Sequence, residues 1–154
     1  MDIKILPIGE HHVSSVAKLE CICFSDPWSE NSIRGELNHP YSVWLVAEVN
    51  GDVVGYIGSQ IAVDEADIMN VAVAPSHRRC GIGQMLIDEL VEKLKGNGVV
   101  ALMLEVRASN DSAISLYEKN GFSCVGVRPN YYFHPREDAR IMRKEFHLTL
   151  VGFL

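Results

Sequence analysis

The chain lacks a long apolar run, a basic leader and linker-like segments. No apolar run approaches the ~18 residues that a membrane span needs. Residues 1–9 have neither the basic start nor the apolar stretch of a secretory signal. Repeats and tracts rich in proline, glycine or serine are also absent. We therefore expect a cytoplasmic protein with a single domain over residues 1–154.

Cysteine and histidine do not form a recognisable metal site. The four cysteines lack the spacing of a zinc site or a disulfide framework: Cys21, Cys23, Cys80 and Cys124. The His11-His12 pair has no partner at ligand spacing, so we expect it at the surface and expect no metal. Free thiols that are buried or half-buried suit a reducing compartment.

Positive charge is scarce. The chain has 14 Lys and Arg against 20 Asp and Glu, a formal net charge of −6. That balance argues against a nucleic-acid coat but permits a local basic patch. An acidic face could receive a cationic substrate, although the same charge serves solubility. We expect a monomer or weak dimer, with no nucleic-acid or membrane partner.

Apolar periodicity and turn residues predict the order β-α-α-β-β-β-α-β-α-β-β. Asn50-Gly51 between two apolar runs is the strongest hairpin signal. The pattern predicts an α/β fold whose mixed, mostly antiparallel sheet carries helices on both faces. The predicted strands are 3–7, 43–49, 53–63, 67–73, 99–107, 122–127 and 139–148, and the helices 11–24, 29–37, 83–95 and 109–119. Residues 130–138 are predicted as a loop, and 151–154 as an apolar tail.

A glycine loop, Arg78-Arg79-Cys80-Gly81-Ile82-Gly83-Gln84, stands before the third helix. Glycines allow close approach of the backbone, and a helix N-terminus attracts an anion such as a pyrophosphate. A dinucleotide fingerprint would need a third glycine, and a Walker loop would need Gly-Lys-Ser or Gly-Lys-Thr. A plain turn before a helix is the alternative interpretation.

With its neighbours, this loop resembles the GCN5-related N-acetyltransferase (GNAT) superfamily, whose loop reads Gln/Arg-x-x-Gly-x-Gly/Ala. The resemblance covers roughly residues 1–145 and is strongest to the branch that acetylates ribosomal-protein alanine. The segments that carry it are Pro27-Trp28-Ser29-Glu30, Asn70-Val71-Ala72-Val73-Ala74-Pro75, Leu104-Glu105-Val106-Arg107-Ala108-Ser109-Asn110, Ala113-Ile114-Ser115-Leu116-Tyr117-Glu118-Lys119-Asn120-Gly121-Phe122, and Asn130-Tyr131-Tyr132 followed by Arg136-Glu137-Asp138-Ala139.

The resemblance implies the GNAT fold and acetyl-CoA as co-substrate, without a metal. The backbone of Val71, Ala72 and Val73 would hold the pantetheine arm as an added strand would. The pyrophosphate would lie against Arg78, Arg79, Cys80, Gly81, Ile82, Gly83 and Gln84. Asn110 would hydrogen-bond the cofactor, and it also reads as an N-cap. Cys80 reads as a small loop residue rather than a redox switch.

Acetylation of an α-amine, with pKa near ~7.7–8.0, requires a base for the ammonium and an acid for the leaving thiolate. The resemblance assigns these roles to Glu105 and Tyr117. Glu105 is the one carboxylate inside an apolar strand, where burial would raise its pKa. The alternatives are a Glu105 on an exposed face or paired with Arg107, and a Tyr117 that only packs in the core. The base could act through a water.

Two segments, 24–30 and 130–138, are predicted to flank the acceptor groove, with Trp28, Tyr131, Tyr132 and Glu137 lining it, although such aromatic clusters often only pack. The implied acceptor is the N-terminal alanine of a small-subunit ribosomal protein. Two other functions remain open: acetylation of a different N-terminus, a lysine or a small amine, and a non-catalytic module that binds acyl-CoA.

Overall fold

The computed structural model describes residues 1–146. Residues 147–148 of the predicted last strand and the tail 151–154 lie outside this range. The order of elements is the predicted one. The strands are β1 (Ile3–Pro7), β2 (Ser42–Val49), β3 (Asp52–Ala62), β4 (Glu65–Val73), β5 (Ala101–Arg107), β6 (Ser123–Phe133) and β7 (Arg136–Glu145), and the helices are α1 (Val13–Cys23), α2 (Glu30–Leu37), α3 (Ile82–Gly96) and α4 (Asp111–Lys119).

The seven strands form one sheet in the order β1-β2-β3-β4-β5-β7-β6. Every neighbouring pair is antiparallel except β4 and β5. Alternate residues of β2 enter two cores: Leu45 packs with α3 and α4, and Val46 packs with α1 and α2. The prediction of a mixed, mostly antiparallel sheet with helices on both faces is confirmed.

The Asn50-Gly51 hairpin is confirmed. Both residues have positive φ, 52° and 83°, and Val49 lies opposite Asp52. A two-residue turn with both φ values positive matches the twist of the strands, and asparagine and glycine accept that conformation at the lowest cost. The turn fixes the register of β2 on β3.

The predicted loop at 130–138 is wrong. Most of it is strand, because β6 runs to Phe133 and β7 begins at Arg136. Tyr131, Tyr132 and Phe133 favour extended backbone. The polar residues that suggested a loop lie instead in a bulge, where Asn130 has a φ of 53° and its amide donates to Asp138 at 2.8 Å.

The parallel pair β4–β5 creates the opening in which the site lies. The two strands pair only over Glu65–Asp67 and Ala101–Met103. Beyond that point β4 continues along β3, with Met69 inserted as a bulge, and β5 continues along β7. In the described part of the chain, the edge of β4 that faces β5 therefore has no partner strand from Ile68 onward.

Two expectations about side chains need correction. Three of the four cysteines are exposed, and Cys23 alone is half-buried. His12 is buried rather than at the surface: its Nε2 lies 2.6 Å from Glu48 Oε2, and its Nδ1 accepts from the Gly9 amide at 2.9 Å. His11 stacks on it, so these three side chains cluster, yet both ring nitrogens of His12 already have partners. No helix within residues 1–146 is long and apolar enough to cross a membrane.

Candidate active site

The split between β4 and β5 opens into a cleft of about 1230 Å³. The glycine loop and the start of α3 form one end, and α4 forms a side. The loop after α1 and the end of β6 form the other end. Most of the site residues predicted from the sequence line it: Val71, Ala72, Val73, Arg78, Arg79, Gly81, Ile82, Gly83, Gln84, Glu105, Asn110, Tyr117 and Tyr131. Cys80, Trp28 and Glu137 do not.

The glycine loop exposes the N-terminus of α3. Gly81 is the N-cap with a φ of +80°, and a Cβ built on it would meet no protein atom within 4 Å. The Met85 amide donates to the Gly81 carbonyl, so the N–H groups of residues 82–84 precede the first helical hydrogen bond and have no protein partner in the described chain. Free N–H groups with open space in front of them suit a phosphate.

Gly83 has a different role from Gly81. A Cβ at Gly83 would lie 3.2 Å from Leu116 Cδ2 on α4. The absence of a side chain there therefore lets α3 and α4 approach each other beside the cleft. Gln84 joins the same two helices, because its amide and the Asn120 amide exchange hydrogen bonds.

Glu105 is not buried as expected. Its side chain is 32% exposed and lies on the same face of β5 as Arg107. Arg128 Nε donates to one carboxylate oxygen at 3.0 Å, and the Tyr131 hydroxyl lies 3.5 Å from the other. The alternative pairing with Arg107 is also wrong, since Arg107 pairs with Glu137. The polar surroundings come from β6, a strand distant in the sequence.

Tyr117 combines the two roles that the sequence offered as alternatives. The residue is 5% exposed and its ring packs edge-on against Phe122 at 5.5 Å, yet it lines the cleft. Burial, with a smaller contribution from Tyr132, raises the pKa of Tyr117 well above its ordinary value. The phenol therefore keeps its proton at neutral pH, as a general acid must.

Asn110 is the N-cap of α4, because its Oδ1 accepts from the Ala113 amide at 3.2 Å. It also lines the cleft. The helix N-terminus that it caps therefore faces the same space as the glycine loop. The capping interpretation holds, and it leaves the side-chain NH2 free of described protein partners.

Two arginines organise the far end of the cleft: Arg107, which the sequence offered only as a partner of Glu105, and Arg128, which it did not single out. Arg107 lies 4.3 Å from the centroid of the Tyr132 ring and donates to the carbonyl of Pro135 at 2.8 Å. Ser25, in the loop after α1, donates to the carbonyl of His134 at 2.8 Å. The two predicted acceptor segments therefore meet here. Only the register of β5, β6 and β7 brings Arg128 to Glu105 and Arg107 to Glu137, so the sequence held no local signal for these two contacts.

Trp28 and Glu137 support this end from outside it. The Trp28 ring packs edge-on against Trp44 at 5.4 Å in the core under α1 and α2. Glu137 accepts from the Ser109 amide at 2.7 Å and from Arg107 at 3.3 Å. Hydrogen bonding to Ser109, together with Arg107, lowers the pKa of Glu137.

The two ends of the cleft differ in charge. Arg78, Arg79 and Lys119 line the glycine-loop end, where they complement the helix N-termini. At the other end the carboxylates of Asp26 and Glu105 lie near Arg107, and Arg128 pairs with Glu105, so charges of both signs meet there. One cleft thus offers an anion-binding end and an end with carboxylates that can receive an amine.

Residues 13–122 match the Acetyltransferase (GNAT) family. The chain belongs to this family. The [ribosomal protein bS18]-alanine N-acetyltransferase of Escherichia coli (strain K12) is 41% identical over 118 residues, 75% of this chain and 79% of that protein. The crystal structure of the E. coli ribosomal-protein-S18-alanine N-acetyltransferase superposes with a TM-score of 0.89 at 32% identity, covering 99% of both chains. Ard1 of Thermoplasma volcanium gives a TM-score of 0.89 at 26% identity, covering 96% of this chain and all of that one.

Proposed function

We propose that this acetyltransferase moves the acetyl group of acetyl-CoA to the N-terminal α-amine of a protein, and that its acceptor is the alanine terminus of a small-subunit ribosomal protein. The observation that carries the proposal is the shared cleft, which joins an anion-binding loop, a protonated Tyr117 and the carboxylate of Glu105. The names of the E. coli relatives support the choice of acceptor. An acceptor of this kind suggests a cytoplasmic location.

The residues of the glycine-loop end fit the acyl donor. The open space before Gly81 and the free N–H groups of α3 suit its pyrophosphate, with Arg78 and Arg79 beside them. The edge of β4 at residues 71–73, which has no partner strand, suits the pantetheine arm, which can bind there as an extra strand would. A backbone N–H on that edge can also polarise the thioester carbonyl.

Glu105 is the proposed general base. It takes a proton from the acceptor's ammonium, directly or through a water, so that the amine nitrogen can attack the thioester carbon. The carboxylate already accepts from Arg128 and Tyr131 at its two oxygens. The incoming ammonium therefore joins these donors at the carboxylate, and the attraction of opposite charges favours its approach.

Tyr117 is the proposed general acid. When the C–S bond breaks, the sulfur carries the electron pair away as a thiolate, and the phenol supplies its proton. Burial makes Tyr117 a weaker acid than a free tyrosine. The same burial raises the proton affinity of the leaving thiolate beside it. The thiolate can therefore still take a proton from the Tyr117 phenol.

Mass spectrometry of the reaction products tests this function. The protein is mixed with acetyl-CoA and one of two peptides: the ribosomal protein's alanine-initiated N-terminus, or the same sequence with a blocked terminus and free lysines. We expect a gain of about 42 Da, one acetyl group, on the free terminus alone. Acetylation of the blocked peptide would instead indicate lysine as the acceptor. Acetylation of neither peptide, with coenzyme A still bound, would favour a small amine or the binding-only role.

A further inference from the structure

Glu20 is a buried carboxylate that the proposed chemistry does not use. It lies on the inner face of α1 among Val13, Val16 and Leu19, with none of its surface exposed. Among residues 1–146 it is the one fully buried acidic side chain. An apolar residue at this position would pack without the cost of removing a charge from water. Its presence calls for a reason beyond packing.

Three residues donate hydrogen bonds to this carboxylate. The Tyr56 hydroxyl lies 2.5 Å from Oε2, and Asn70 Nδ2 lies 3.0 and 2.9 Å from the two oxygens. The backbone amide of Trp28 donates to Oε1 at 3.1 Å. Burial raises the pKa of Glu20, and these hydrogen bonds oppose that rise. The Trp28 and Asn70 groups can only donate, so the carboxylate oxygens act as their acceptors.

Two of the three donors belong to segments that border the cleft, the loop after α1 and β4. Trp28 follows Phe24, Ser25 and Asp26, which line the acceptor end. Asn70 follows the bulge of β4 and lines the cleft itself. Tyr56 lies on β3, is fully buried and does not line the cleft. Glu20 therefore ties the loop after α1 to the cleft edge of β4 without touching the cleft.

We propose that Glu20 is a positioning residue that sets the width of the acceptor entrance. Its carboxylate holds the loop 24–29 at a fixed distance from β4, so that a peptide N-terminus can enter between them and reach the reacting centre. The inference rests on the proposed function for its peptide acceptor. Within residues 1–146 no hydrogen bond joins the glycine loop to Glu20 or to its three donors.

Steady-state kinetics of Glu20→Gln test the proposal. Glutamine keeps the shape but replaces the carboxylate by a single neutral oxygen, so the bond from Asn70 to Oε2 is lost and the bonds from Asn70 and Trp28 at Oε1 weaken. We expect the KM for the alanine-initiated peptide to rise at least fivefold, with kcat changed less and the Kd for coenzyme A, measured by calorimetry, within twofold. The matched control is Tyr56→Phe, which removes the hydrogen-bond donor that belongs neither to the loop after α1 nor to β4. It is expected to lower Tm but to leave the peptide KM within twofold.

An unchanged KM in Glu20→Gln would overturn the proposal, as would equal KM changes in both variants. If Glu20→Gln does not fold, the KM of Asn70→Ala for the peptide provides the test. A raised KM supports the tie, and a wild-type KM overturns it.

Hydrogen exchange separates this inference from the proposed function. If the wild type binds coenzyme A but does not acetylate the peptide, the proposed acceptor is wrong. The hydrogen-exchange rate of the Trp28 amide, measured by NMR, then tests the role of Glu20 alone. We expect at least tenfold faster exchange in Glu20→Gln than in Tyr56→Phe, with the Leu90 amide of α3 as internal reference. Equal rates in the two variants would overturn the tie.

Discussion

The two ends of the cleft are built by different means. The glycine-loop end consists mainly of consecutive residues, and the groups proposed to bind the pyrophosphate are the backbone N–H groups at the start of α3. The acceptor end consists of side chains from β5, β6 and the loop after α1, which meet only in the folded sheet. This difference indicates that local backbone geometry can hold the acetyl donor, acetyl-CoA. The choice of acceptor instead depends on packing between segments that are distant in the sequence.

The largest effect is expected at Tyr117, where the two ends meet. Tyr117→Phe removes the proposed proton donor and keeps the ring against Phe122. We expect kcat to fall roughly 10²-fold or more, the range for loss of general acid catalysis. The Kd for coenzyme A should stay within twofold. Tyr56→Phe, another buried tyrosine, serves as the control for turnover, and a wild-type kcat in Tyr117→Phe would remove this residue from the mechanism.

Glu105→Gln tests the chemistry of the acceptor end. We expect about a 10- to 100-fold loss of kcat/KM for the peptide. The loss should deepen as pH falls below the ~7.7–8.0 at which a free α-amine deprotonates. The measurement is a pH profile from 6 to 9. The control is Glu65→Gln, which removes a carboxylate paired with Arg143 outside the cleft. A small loss that does not vary with pH would mean that Glu105 is structural.

Gly81→Ala tests whether the glycine loop binds the phosphates of coenzyme A, with Gly98→Ala as the matched control. Gly81 and Gly98 both have a φ of +80° and open space before a built Cβ, and they flank opposite ends of α3. Alanine at either should cost about 1–2 kcal/mol of folding free energy. Only Gly81 lines the cleft. We expect Gly81→Ala to raise the Kd for coenzyme A at least tenfold and Gly98→Ala to leave it within twofold. Equal affinities would contradict the phosphate assignment.

A substitution at Gly83 would be harder to interpret. The sequence motif makes both glycines equivalent candidates for the phosphate loop. In the structure a Cβ at Gly83 meets Leu116, so a larger residue would push α3 and α4 apart. Loss of binding in such a variant would report on helix packing as well as on the phosphate.

The smallest effect is expected at Glu137, which stabilises the acceptor end from outside. Its folded pKa lies below the ordinary 4.5, because hydrogen bonding to Ser109, with Arg107, favours the charged form. Its contribution is therefore present above pH 4.5 and is lost as pH falls through the lowered pKa. We expect Glu137→Gln to lower Tm at pH 7, with the difference from wild type vanishing under acid conditions.

Thermal melts from pH 7 down to pH 3 measure this dependence. Glu118→Gln is the control, because its side chain has no described ion pair within residues 1–146. A Tm difference for Glu137→Gln that persists at pH 3 would contradict the assigned cause.

The sequence predicts best those structural features that depend on residues close together in the chain. Asn50-Gly51 sets its own turn, and the glycine loop opens α3 one residue earlier than predicted, at Ile82. The loop predicted at 130–138 fails because pairing with β7 continues through a bulge that holds Asn130 and its polar neighbours. That pairing depends on β7, so local composition misleads there.

At the site, the sequence predicted Glu105 and Tyr117 as site residues, and both line the cleft. The prediction that Glu105 is buried was wrong. Leu104 and Val106 face the opposite side of β5, so their burial says nothing about Glu105. Its partner Arg128 lies 23 residues away on β6. Trp28 was expected in the groove, yet only the register of α1 on the sheet determines that its ring packs on Trp44 while its amide binds Glu20.

A crystal structure with coenzyme A and the alanine-initiated peptide would test the central claim most directly. We expect the pyrophosphate on the N–H groups of residues 82–84. The sulfur should lie within hydrogen-bond reach of the Tyr117 hydroxyl, and the peptide amine within about 2.6–3.2 Å of Glu105 or of a water bound to it. A peptide amine bound away from Glu105, or a sulfur out of reach of Tyr117, would contradict the account.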